Sequence, residues 1–247
     1  MGMLGQVLLV TAAAGIGGTG LGGGAACLFR RDSSRTVSLL LSFAAGVMVA
    51  VVCFDLLAEA APGRMPVTTV GILAGYGVTA GLNRALERRE RTEERSSLLL
   101  AGVVMAAAIA LHNVPEGMVI GASFARTAQE TLLNRGGLTM AIVIGLHNIP
   151  EGMAVAVPLI SGGMSKTRSV IVTALTGFPT ILGALLGFTV GAMGPVALAL
   201  SLSFASGAML YVVFGELLPE SILMWRSKLP ATATIIGMLT GLVIIYM

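Results

Sequence analysis

Polar and apolar positions in this chain do not alternate; they come in blocks. Long apolar runs fall near residues 4–29, 37–59, 67–83, 98–125, 137–160, 169–190, 195–218 and 230–247. Each is long enough to cross a hydrocarbon layer of about 30 Å as a helix. The pattern predicts an all-α polytopic membrane protein: one transmembrane domain over residues 1–247, with eight helices and very short connections. An even number of crossings puts both termini on one side. The longest polar segment, 83–97, carries Glu87, Glu90, Glu93 and Glu94 among five arginines. It predicts a short extension of the third helix followed by a cytoplasmic loop, too small to be a domain. The first run is uncharged from Met1 to Phe29 and lacks a basic leader, so it reads as a span and not as a signal peptide.

Composition agrees with the blocks. Hydrophobic residues make up 55%, charged residues 11%, and the mean hydropathy is +0.92. A soluble domain carries roughly 25% charged residues, so this chain could not cover a water-facing surface. A secreted disulfide scaffold, a disordered tail and a nucleic-acid module are excluded on the same ground. Cys27 and Cys53 both lie inside apolar runs, without metal-knuckle spacing. Net charge is only +3, and its distribution reports topology. Connections 1–2, 3–4, 5–6 and 7–8 hold most of the arginines and lysines; the opposite side holds only Arg64, Arg126 and Arg135. The positive-inside rule then places both termini outside.

Two internal repeats sharpen this picture. Ser42–Ala60, SFAAGVMVAVVCFDLLAEA, aligns without gaps to Ser203–Ser221, SFASGAMLYVVFGELLPES, and Asp55 faces Glu216. These are spans two and seven, which cross in opposite directions. Leu111–Met118, LHNVPEGM, matches Leu146–Met153, LHNIPEGM, on the consecutive and therefore antiparallel spans four and five. The arrangement is three helices, a central pair and three more. Inverted repeats mark alternating-access transporters, whose sites lie near the midplane at the repeat interface.

The ionisable residues within spans are Asp55, Glu59, His112, Glu116, His147, Glu151, Glu216 and Glu220, and both histidines of the chain are among them. A charge at a helix centre costs about 2.5–3.5 kcal/mol even on the lenient scale, so such groups pair, line a wet cavity or bind an ion. His112 and Glu116 are one helical turn apart, as are His147 and Glu151. Bringing the two faces together offers two imidazoles and two carboxylates, a donor set for a divalent transition metal such as Zn²⁺. Asn113 and Asn148 point to a second, oxygen-rich site that shares the glutamates. Pro115 and Pro150 free the carbonyls of Leu111 and Leu146, and Gly117 and Gly152 allow close helix approach. Asp55 and Glu59 lie toward the outer end of span two, Glu216 and Glu220 toward the inner end of span seven. The acidic residues therefore trace a track across the membrane. Met48 shares a face with Asp55; spacing alone favours packing for it.

The paired words His112-Asn113-Val114-Pro115-Glu116-Gly117 and His147-Asn148-Ile149-Pro150-Glu151-Gly152, with SFAAGVM and SFASGAML through ELLPES, resemble the ZIP (Zrt/Irt-like) divalent-metal transporters. The similarity is greatest to their bacterial GufA-like branch and covers essentially the whole chain. The resemblance implies uptake of Zn²⁺, with Cd²⁺, Fe²⁺ and Mn²⁺ as alternative cargo, toward the cytoplasm across the cell membrane. It implies a binuclear site on helices four and five. The first metal would see His112, Glu116, His147 and Glu151, with Met48 raised to a ligand. The second would see Asn113, Glu116, Asn148 and Glu151. Asp55 would sit on the entry path. One departure stands out: relatives often carry Glu-Pro in span six, and Thr180 takes the Glu position here. The expected partners are divalent ions and the lipid bilayer, with no nucleic acid, and a homodimer is the oligomer to test for.

Rival readings fit less of the sequence. Gly15-Ile16-Gly17-Gly18-Thr19-Gly20 matches a dinucleotide fingerprint but lies inside a glycine-rich span with no βαβ unit around it, and small-xxx-small packing explains it better. An intramembrane metallohydrolase would commonly use HExxH, where the glutamate is a base and not a ligand. A proton or monovalent-cation antiporter would explain buried carboxylates but not paired histidines. The expectation is a transporter and not an enzyme.

Overall fold

The computed structural model describes residues 2–28, 34–90, 98–126 and 135–246. These residues form eight helical rods: α1 (Met3–Ala26), α2 (Ser34–Ala60), α3 (Met65–Glu90), α4 (Leu98–Arg126), α5 (Arg135–Ser161), α6 (Lys166–Gly191), α7 (Pro195–Met224) and α8 (Leu229–Tyr246). Seven of them are long and apolar enough to cross a membrane. The eighth, α4, is a 29-residue helix carrying the first HNxPEG word. Helix α3 continues through Glu90, so residues 83–90 of the predicted loop are helical, and 91–97 lie outside the described residues.

Contacts between helices obey the inverted repeat. Helices α1, α4, α5 and α6 form one bundle, with α4 packed on α6, α5 on α1, and α4 on α5. Helices α2, α3, α7 and α8 form the other, with α2 packed on α8, α7 on α3, and α2 on α7. Exchanging α1–α3 with α6–α8, and α4 with α5, swaps α4–α6 with α5–α1 and α2–α8 with α7–α3, and returns α4–α5 and α2–α7 to themselves. Helices α2, α5 and α7 are largely buried, and α3 and α8 stand at the periphery.

Glycine makes this packing possible. Without a hydrophobic driving force between helices in lipid, close backbone approach replaces it. A Cβ on Gly183 would overlap the Val114 carbonyl, and one on Gly22 would overlap that of Ile149, its counterpart. Gly117 abuts the carbonyl of Thr180, and Gly152 abuts that of Thr19, which holds the same place in α1. Overpacking of this kind costs about 1–3 kcal/mol or more. Gly183→Leu should therefore sharply lower the yield of monodisperse protein, measured by size-exclusion chromatography of detergent extracts.

The regular helices are interrupted at matching places. A π-turn spans Val52–Leu56 in α2 and another spans Val213–Leu217 in α7, and they carry the matched carboxylates Asp55 and Glu216. A third occupies Ala13–Gly17 in α1. Its counterpart in α6 is a break at Gly177–Phe178 ahead of Pro179. A π-turn adds one residue to a helical turn and is frequent at functional sites. Here it sets the direction of a carboxylate on each half of the fold.

Candidate metal centre

Helices α4 and α5 carry Pro115 and Pro150 in their interiors, and their HNxPEG words meet in the middle of the protein. His112, Asn113, Glu116, His147, Asn148 and Glu151 are all buried, and Glu116, His147 and Glu151 are 0% exposed. His147 Nε2 lies 2.9 Å from Glu116 Oε1. Glu116, His147 and Glu151 each place one ligand atom within 4.8 Å of the others. Two ligands of one tetrahedral zinc ion stand about 3.4 Å apart, from bond lengths near 2.1 Å. The cluster closes by about 1 Å or slightly more to hold one ion.

His112 takes another partner. Its Nε2 lies 3.2 Å from Glu216 Oε2, on α7. The four-ligand set expected from the sequence is thus divided: three groups converge between α4 and α5, and His112 turns toward the Glu216 π-turn. The counterpart of His112–Glu216 across the repeat is His147–Asp55, but His147 is engaged with Glu116 instead.

The protein leaves this centre electrostatically unfinished. Among the described residues, both carboxylate oxygens of Glu151 are buried without a hydrogen-bond partner, as are Glu116 Oε2, His147 Nδ1 and Asn148 Oδ1. A buried carboxylate without partners costs several kcal/mol. A divalent cation among two carboxylates and an imidazole removes that cost and accepts the orphaned lone pairs.

The asparagines do something that their spacing did not announce. Asn113 Nδ2 donates to the carbonyls of Ile109 (3.0 Å) and Thr176 (2.8 Å). At the α6 break, Thr180 N–H bonds the Gly177 carbonyl and not that of Thr176, so Asn113 satisfies an acceptor which the break strands. Asn148 Nδ2 reaches the Ala14 carbonyl at 3.4 Å, inside the α1 π-turn. Each asparagine fastens α4 or α5 to the irregular turn of its partner helix. Asn113 Oδ1 then accepts from Thr180 Oγ1 at 3.2 Å. Thr180 is 0% exposed and stands beside Asn113. Thr19 is its equivalent across the repeat. The α1 and α6 segments share too few residue types for sequence alone to have matched those two threonines.

Met48 is buried in the apolar core with Met209, its match in the repeat. Asp55, Glu216 and Glu220 are partly buried, and Glu59 is exposed beside a small cavity with Arg64. The carboxylates thus grade from the buried centre toward the C-terminal ends of α2 and α7.

The family model for the ZIP zinc transporters matches residues 82–247, which includes both HNxPEG words and the α7 half of the long repeat. This chain belongs to the ZIP zinc transporter family. It is 35% identical to the zinc transporter ZupT of Chlorobium luteolum over 94% of this ZIP chain and 93% of that one. It is 34% identical to the zinc transporter ZIPB of Bordetella bronchiseptica, over 93% of this chain and 76% of that one. A shorter match, 39% identical over 46% of this chain and 43% of the other, joins it to the zinc transporter GufA of Myxococcus xanthus. The ZIP chain is a multi-pass membrane protein, and its buried Glu/His cluster suits the cargo that the family name describes.

Proposed function

We propose that this chain is a permease of the cytoplasmic membrane that carries Zn²⁺ inward, with α4 as the eighth span and both termini outside. The observation that supports this most is the buried cluster of Glu116, His147 and Glu151, whose unpartnered oxygens call for a cation. Three protein ligands leave a coordination position open, which suits an ion that must leave again. His147 Nε2 and Glu116 Oε1 stand at hydrogen-bond distance, 2.9 Å. An ion bound to the same two atoms takes the place of that hydrogen bond and requires a neutral imidazole. Asn148 Oδ1 is the oxygen best placed to join as a neutral ligand, and Met48 is a soft donor in reserve.

The track on either side of the cluster is Asp55 and Glu59 toward the outer end, then His112, Glu216 and Glu220 toward the inner end. His112 and Glu216, already in contact, receive the ion as it leaves the centre. Initial uptake rates at varied Zn²⁺ should separate the two ends. Glu216→Gln lowers kcat by about ten-fold with little change in KM, and Asp55→Asn mainly raises KM, each on the scale of an altered outer-sphere partner. Equal effects of both on kcat and KM would remove the entry and exit assignments.

The direct test of function is uptake into proteoliposomes of Zn²⁺, Cd²⁺, Mn²⁺ and Fe²⁺, against Na⁺ and K⁺ controls. Accumulation of divalent ions alone supports the permease. Exchange of protons for monovalent ions without divalent uptake would make the chain an antiporter.

A further inference from the structure

A cavity of about 360 Å³ reaches the His112–Glu216 pair from the side of α3 and α4. Val78 and Leu82 of α3, Leu111 and Met118 of α4, Leu186 of α6 and Phe204 of α7 contribute to its walls. It exists because α3 leans on α7 while α4 leans on α6 and α7, and no extensive packing joins α3 to α4.

Its rim faces the membrane. Val78, Leu82 and Leu186 are 50%, 47% and 51% exposed, and all three lie within spans. The floor follows α4 from Ala108 to Met118, a rise of about 15 Å at 1.5 Å per residue. One leaflet contributes about half of a 30 Å hydrocarbon core, so the crevice is as long as one acyl chain is deep. Apolar cavities do not hold water, and the material that meets this mouth in a bilayer is hydrocarbon. At the floor lie His112 and Glu216, and the Glu216 side chain keeps 19% exposure.

We propose that this crevice is a lipid site: one phospholipid acyl chain lies along α4 between α3 and α6 and covers the His112–Glu216 pair from the membrane side. The seated chain keeps that pair in a dry, low-dielectric setting, where charge interactions are strong. It also closes a lateral leak between the ion pathway and the bilayer. This inference rests on the membrane-spanning architecture and is independent of which ion is carried.

The test uses tryptophan fluorescence in the full-length protein reconstituted in bilayers. Trp225, the one tryptophan of the chain, is first replaced by phenylalanine. Val190→Trp then puts a reporter on the crevice wall, and Ile235→Trp puts a control on the outer face of α8, where Ile235 is 52% exposed. Val78→Trp serves as a second crevice reporter should Val190→Trp fold poorly. Phosphatidylcholine brominated at mid-chain should quench the crevice reporter by roughly two-fold or more, as expected for contact with chains inside the hydrocarbon core. The quenching should follow the mole fraction of brominated lipid as a single site, while the control follows several neighbours. Aqueous iodide should leave the crevice reporter unchanged. Iodide quenching without bromolipid quenching would overturn the proposal and make the crevice a water-filled vestibule. A crevice reporter that titrates like the control would reduce it to ordinary boundary lipid, and would overturn the proposal equally.

Discussion

Zinc uptake should fall to background in His147→Ala and in Glu151→Ala, with protein still present in the membrane. Each change removes one of three groups whose ligand atoms converge within 4.8 Å. A second consequence separates a metal centre from structural glue. Glu151 buries two oxygens without partners among the described residues, so in the metal-free protein its carboxylate form opposes folding. Glu151→Gln removes the ionisable oxygen at nearly constant volume. The metal-free variant should then be at least as stable as wild type, while its binding of Zn²⁺ is lost. Thermal unfolding in detergent reads both effects. Zn²⁺ should raise the unfolding temperature of the wild type and leave that of Glu151→Gln where it began. A destabilised Glu151→Gln would show instead that the carboxylate holds the helices together, and the cluster would lose its standing as a cation site.

The substitution Thr180→Glu should make folding depend on metal. Thr180 is fully buried, donates to Asn113 Oδ1, and lies where a Cβ on Gly15 would already meet it. A glutamate there is too large for the site, and overpacking costs about 1–3 kcal/mol. It also sets a second acceptor against Asn113 Oδ1, with Glu116 one turn away on the same helix. Only a cation reconciles those oxygens. The metal-free variant should unfold at lower temperature than wild type, and added Zn²⁺ should more than restore it. Elemental analysis should give bound metal rising from about one ion toward two, because the added charge offsets a second divalent ion that otherwise lacks neutralising carboxylates. Thr19→Glu, at the equivalent position in α1, makes the comparison sharper, because it should destabilise α1 in the same way beside Asn148. Two tightly held ions in the wild type, unchanged by Thr180→Glu, would mean that the oxygen-rich half-site is complete without a sixth-span carboxylate.

Much of this molecule is legible without coordinates, and for a specific reason. A chain in hydrocarbon must satisfy its backbone inside each helix, so its spans are written as uninterrupted apolar blocks. Histidine and glutamate inside such blocks are too costly to be incidental, and their repetition at one-turn spacing singled out the residues that the fold buries together at its centre. The inverted match of Ser42–Ala60 with Ser203–Ser221 likewise followed from residues alone.

The tertiary structure decided how those donors are divided. Spacing places His112 and Glu116 on one face of α4, but it cannot show that α7 brings Glu216 to His112 while α5 brings His147 to Glu116. That choice depends on π-turns in α2 and α7, whose extra residue rotates each carboxylate relative to a regular helix, and no residue type in VCFDL or VFGEL announces such a turn. The asparagine fasteners depend in the same way on the Ala14 carbonyl in the α1 π-turn and on the Thr176 carbonyl that the α6 break strands. The crevice has no sequence signature either, because it arises between α3 and α4, each of which packs on other helices. Apolar blocks fix what enters the membrane; contacts between helices, carried by glycine backbones and stranded carbonyls, fix which charge meets which histidine.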